Sequence, residues 1–120
     1  MINLPATIFL DIDGTLIFQG EEESEKYVKY HALPGAVDKI KQWRNEGHRV
    51  VLTTARAKDS EEITVRQLKE LGIEYDILVM GLTTGQRFLI NDLKPYAPST
   101  PMAVAVNLKR NEGIEGVSIE

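Results

Sequence analysis

Short apolar runs that end in polar residues alternate along this chain with stretches of helical spacing. Ala6 to Leu10 with Ile12 is such a run, bounded by Pro5 and Gly14, and reads as a strand buried on both faces of a parallel sheet. Leu33-Pro34-Gly35-Ala36 opens a helix, with Val37, Ile40 and Trp43 on one stripe and Gly47 as its stop. Arg49 to Thr53 reads as a second strand. Asp59 to Leu71 reads as a second helix, capped by Asp59 with Glu62 three residues later, and striped by Ile63, Leu68 and Leu71. Gly72 ends it. Ile77 to Met80 predicts a third strand and Phe88-Leu89-Ile90 a fourth, with Gly81 to Gly85 between them. Pro95, Pro98 and Pro101 break the next stretch, and Met102 to Leu108 reads as a fifth strand before a tail punctuated by Gly113 and Gly116.

Strands alternating with helices predict an α/β fold: a Rossmann-like parallel sheet with helices on both faces, and sites at the carboxyl ends of the strands. The 120 residues, 42% of them apolar, suit one domain spanning 1–120. The net charge of −4 argues against a nucleic-acid or anionic-membrane surface, which needs clustered basic residues. Without cysteine there is no disulfide, thiolate metal site or thiol nucleophile, which suits a cytoplasmic location. No leader or membrane anchor is read at the amino terminus, where Asp11 and Asp13 interrupt the apolar stretch. The acidic run Glu21 to Glu23 with Glu25 reads as a solvated flap.

Three polar clusters directly follow apolar runs: Asp11-Ile12-Asp13-Gly14-Thr15, then Thr53-Thr54-Ala55-Arg56, then Asn91-Asp92. A parallel sheet brings such positions to one edge. Three carboxylates gathered there repel one another unless a hard divalent cation with oxygen ligands joins them, which points to magnesium. Taken singly, Thr53 and Thr54 are ordinary strand residues, and Arg56 and Lys94 serve equally well as solvated surface cations.

The run Asp11-Ile12-Asp13-Gly14-Thr15-Leu16 behind an apolar strand resembles the first signature of the haloacid dehalogenase (HAD) phosphatase superfamily. Thr53 resembles the family's second motif and Asn91-Asp92 its fourth, so the likeness runs from about Ala6 to Asp92. The resemblance implies Asp11 as the nucleophile that forms an aspartyl-phosphate, and Asp13 as acid and then base. Gly14 and Thr15 would shape the turn around the phosphate. Thr53 would hold a phosphoryl oxygen, with Thr54 and Arg56 beside it. Magnesium would be held by Asp11, the Asp13 carbonyl and Asp92, with Asn91 as a further donor.

Two departures from the family pattern stand out. Asn91 replaces one acidic residue, and the loop Gly81 to Gly85 lacks the basic residue the family places there. Lys94 and Arg56 are the leading substitutes; Arg87 ranks third, because it starts the fourth strand and so falls at the wrong end of the sheet. The interval 17–33, which holds Lys26, Tyr27, Lys29 and Tyr30, is long enough for a flap but not for a cap domain. An uncapped site would admit a small or macromolecular phosphate ester, sugar phosphates being the first to try, or be closed by a second copy of the chain. The competing reading is a catalytically weak phosphate- and metal-binding module with a regulatory or assembly role. Residues 102–120 read as a final strand and tail, in which Asn107, Lys109 and Arg110 are a subunit contact, a substrate contact or, the favoured reading, the polar end of the strand, and His31 and His48 carry no metal-ligand spacing.

Overall fold

β-Branched and aliphatic residues concentrate in three runs that pair in parallel, in the order β1 (Thr7–Asp11), β2 (Arg49–Thr53), β3 (Ile77–Val79). A computed structural model describes residues 4–20 and 30–119 of the chain. The acidic run 21–25 and Lys26, Tyr27 and Lys29 lie outside the described residues. Thr7 to Asp11 stand opposite Arg49 to Thr53, and Val51 to Thr53 opposite Ile77 to Val79. Parallel neighbours need a crossover, and α1 (Asp38–Asn45) and α2 (Glu61–Leu71) provide it.

Helix α1 begins after the turn at residues 34–37 and buries Ile40 and Trp43 as the stripe predicts. Gly47 closes it in a left-handed conformation, φ 95°. Helix α2 differs from its predicted face. A 3-10 turn (Lys58–Ser60) takes its predicted first residues, and Ser60 rather than Asp59 precedes the helix, without a side-chain cap. Thr64 and Leu68, four apart, face inward, whereas Ile63 is 51% exposed. The polar Thr64 is drawn in because Arg56 donates to its hydroxyl at 3.0 Å.

A single apolar cluster unites Ile8, Leu10 and Ile12 with Val50 and Leu52, Ile40 and Trp43 of α1, Leu68 of α2, and the distant Ile114. Burying one such aliphatic side chain contributes about 1.5–3 kcal/mol, and this cluster supplies the main drive for the fold. At the amino end of the sheet, the His48 imidazole accepts the Ala6 N–H at 2.9 Å.

The predicted fourth and fifth strands are absent among the described residues. Phe88 is 81% and Ile90 89% exposed, and Val104 and Val106 also face solvent. Arg87 explains the first of these. Its Nη1 donates to the Thr83 and Gly85 carbonyls at 3.0 and 2.9 Å, curling the chain, and its Nη2 lies 3.9 Å from Asp11 Oδ1. The run after Arg87 thus starts at the carboxyl end of β1, where a parallel strand would have to finish. Residues 102–108 likewise form no strand, which leaves β1 at an edge of the sheet. Phe9 on β1 is 54% exposed rather than buried, and β1 alternates outward and inward instead of being buried on both faces.

Candidate functional site at the carboxyl edge of the sheet

The alternation of β1 continues past its end: Asp11 is exposed, Ile12 buried and Asp13 half-buried, so both carboxylates project on one side. Gly14 then adopts φ 85°, a conformation a β-carbon would strain, and its N–H donates to the Ile17 carbonyl at 2.8 Å. The Ile12 carbonyl accepts the N–H groups of Thr15, Leu16 and Ile17 at 3.2, 2.8 and 3.0 Å, which is how Thr15 serves the turn. Beyond it, Phe18 N–H donates to the His31 carbonyl and Leu33 N–H to the Leu16 carbonyl, at 3.1 and 2.8 Å, joining the two ends of the flap interval.

Register places Thr53 directly beside Asp11, with Val79 beyond it. The Thr53 hydroxyl donates to the Leu10 carbonyl at 3.3 Å. Thr54 sits differently from its predicted role as a phosphate contact. It is 1% exposed, and its hydroxyl accepts the Arg56 N–H at 3.0 Å, so it shapes the turn after β2.

Arg56 is turned toward Asp13. Its Nε and Nη2 donate to the two Asp13 carboxylate oxygens at 2.8 and 2.7 Å, and its Nη1 donates to Thr64 Oγ1 and to Gln67 Oε1, the latter at 2.7 Å. This is the bidentate fork that guanidinium makes with a carboxylate, anchored from behind by α2. Asp13 raises the Arg56 pKa above its usual value, through these hydrogen bonds.

Although its side chain is 49% exposed, the partial desolvation of the Asp11 carboxyl at the sheet edge pushes it above the ordinary aspartate range, opposed by the Ile12 backbone hydrogen bond and the Arg87 charge; Asp13 adds to the rise and Arg110 opposes it. Of the three cations considered as substitutes for the missing basic residue, Arg87 is the one beside the predicted nucleophile. Its ranking by strand position is corrected by the turn it closes. Lys94 instead pairs with Asp92, holding that carboxyl below its usual range, and makes no ion pair with Asp11; Asn91 is exposed.

Among the described residues no three acidic or histidine side chains stand together as an ion site. Asp11 and the Asp13 carbonyl are oxygen donors of the kind magnesium takes, but Asp92, the predicted third ligand, is not gathered to them. The donor set is incomplete as placed.

Three residues of the site were not anticipated from sequence: Thr64, Gln67 and Asn111; Arg110 is weighed there as a substrate contact but read in preference as the polar end of a strand. The signal for the first two was a threonine four residues before Leu68 on the buried stripe, with Gln67 a turn away. Asn111 takes φ 66°, a left-handed position that asparagine tolerates, followed two residues later by Gly113. Its side chain accepts the Gln19 N–H and donates to the Gln19 carbonyl, both at 2.8 Å.

A parallel α/β sheet that carries two aspartates, a threonine and arginines at its carboxyl edge defines a hydrolase-like site. The chain belongs to the haloacid dehalogenase-like hydrolase family, whose model matches residues 8–94. It is similar to a chain in a solved structure of the Pnkp1/Rnl/Hen1 complex, at 27% identity and a TM-score of 0.55, covering 72% of this chain and 31% of that one. The chain thus spans under a third of the length of that structural relative. No curated protein matches it. Among the described residues, no helix is long and apolar enough to cross a membrane.

Proposed function

We propose that this domain hydrolyses phosphate monoesters through Asp11, and the observation that carries this is the pairing of Asp11 and Asp13 on one side of the Gly14 turn with Thr53 in register beside them. An Asp11 oxygen attacks phosphorus and the ester oxygen leaves, taking a proton from Asp13. Asp13 then removes a proton from water, which attacks the aspartyl-phosphate and releases inorganic phosphate. Arg87 offsets the charge of nucleophile and phosphate, the part of the missing basic residue in the loop after β3. Thr53 steadies a phosphoryl oxygen once its hydroxyl leaves the Leu10 carbonyl. One Asp13 oxygen must likewise be released by Arg56 before it exchanges a proton with substrate.

The family generally uses magnesium, and magnesium dependence belongs to this reading: Asp11 and the Asp13 carbonyl would help to hold the ion, which would offset phosphate charge. Small phosphate esters, sugar phosphates first, are the substrate class to try, in a cytoplasmic setting and with a second copy of the chain as a cover for the site. One observation favours the second reading, a weak phosphate-binding module: Arg56 occupies both Asp13 oxygens. Phosphate release from sugar, nucleotide and aryl phosphates, with and without magnesium, separates the two. Magnesium-dependent turnover lost in Asp11→Asn supports the hydrolase. Metal and phosphate binding without turnover on any ester supports the module.

A further inference from the structure

The carboxyl-terminal segment folds back onto the nucleophile turn, although nearly a hundred residues separate them in sequence. Asn111 N–H donates to the Gly14 carbonyl at 2.7 Å, and its side chain grips the Gln19 backbone through two hydrogen bonds at 2.8 Å. Ile114 is fully buried in the core, and its N–H donates to the Pro34 carbonyl at 2.9 Å. Gly113 passes so close to Pro34 that a β-carbon there would lie 2.3 Å from the Pro34 carbonyl oxygen. These contacts fix the backbone immediately after one residue, Arg110.

We propose that Arg110 is a substrate-binding residue, held over the Asp11–Gly14 turn by the Asn111 anchor so that its guanidinium receives the oxygens of the phosphate group. The proposal rests on the reading of that turn as a phosphate site. A β-carbon built on Gly14 would lie 3.1 Å from Arg110 Cγ and 3.7 Å from Nε, so the stem of Arg110 crosses the glycine at the centre of the turn. Arg87 approaches the Asp11 carboxylate from a different segment, at 3.9 Å. Arg87 thus stands beside Asp11 while the Arg110 stem crosses the turn that follows it, so two arginines from separate segments border the site, an arrangement that suits a dianionic phosphate. The absence of a side chain at Gly14 then has a second use: it lets the Arg110 stem pass close to the turn. The Asn111 anchor also couples the site to the start of the flap at Gln19.

Calorimetric titration of the full chain with inorganic phosphate, in the presence of magnesium, tests this without requiring turnover. Loss of a charge-assisted contact predicts that Arg110→Gln weakens phosphate binding about ten- to hundredfold at unchanged Tm. Arg110→Lys keeps the charge and a similar stem but not the planar fork, and should recover part of the loss. Asn111→Ala should weaken binding less than Arg110→Gln, by releasing the anchor. Wild-type affinity in Arg110→Gln overturns the proposal, as does a loss that follows a fall in Tm and is not recovered by lysine. If Arg110-dependent phosphate binding is found but no ester is hydrolysed, the hydrolase reading fails and the role of Arg110 stands. If esters are hydrolysed and Arg110→Gln binds phosphate normally, the reverse holds. A wild type that binds no phosphate overturns both.

Discussion

Two aspartates at opposite ends of the same parallel sheet have opposite environments. At the amino end, Asp76 accepts the Val50 N–H at 2.8 Å and a proton of Arg44 Nη2 at 3.1 Å, while Arg44 Nη1 donates to Glu74 at 3.0 Å. The Val50 hydrogen bond, joined by Arg44, holds the Asp76 carboxyl below the usual carboxylate range. At the carboxyl end, partial desolvation holds Asp11 above that range, with its Arg87 partner at 3.9 Å. Asp76 is satisfied and stabilises the fold in its charged form. Asp11, half-exposed and with its cation farther off, has its carboxyl raised instead, the sense expected of a group kept for chemistry rather than packing.

Exchanging charge for amide at each aspartate should separate these roles. The largest effect is predicted for Asp11→Asn, which should lower phosphate-ester turnover at least about a thousandfold while leaving Tm at neutral pH unchanged or raised. A fall in Tm as large as the activity loss would break the comparison. Asp13→Asn should cost about a hundredfold or more in kcat, the usual range for a positioned acid and base, and should also free Arg56. Removing the fork by Arg56→Gln should cost less, about tenfold, through misplacement of Asp13; kcat falling with KM unchanged would mark that role.

At the other end, the sign of the pH dependence follows from the lowered Asp76 pKa. Its contribution is fully present above the unfolded aspartate value of about 3.9 and is lost as pH falls through the lower folded value. Asp76→Asn should therefore reduce Tm at pH 7 and flatten the acid limb of a Tm–pH profile. Asp11 acts in the opposite sense: the fold gains as pH falls through its raised value, so Asp11→Asn removes that gain. Glu74→Gln, which removes a half-exposed partner of Arg44, should change stability by under about 1 kcal/mol.

The sheet was legible because its three strands are short apolar runs bounded by glycine, proline or polar residues, and the first two end on chemistry-bearing ones. Hydrophobic period also located Ile40, Trp43 and Leu68 in the core. It misjudged Ile63, because a buried threonine with an arginine donor looks like a polar break in the stripe. The strands expected at Phe88–Ile90 and Met102–Leu108 were read from composition alone, which cannot register the turn that Arg87 closes on Thr83 and Gly85. The same turn brings an arginine, judged remote by strand position, to Asp11. Asn111 was invisible, and Arg110 ranked as a mere strand end, for a related reason: the residues they approach, Gly14 and Gln19, lie at the other end of the chain, and no local pattern encodes so distant a contact.

The most direct test of the central claim is to trap the covalent intermediate. The full chain would be mixed with a turned-over phosphate ester, quenched in acid, reduced with borohydride and mapped by peptide mass. An aspartyl-phosphate at Asp11 predicts conversion of that position to homoserine, absent without substrate. Continued turnover with Asp11 unmodified, or the mark falling on another aspartate, would contradict the account.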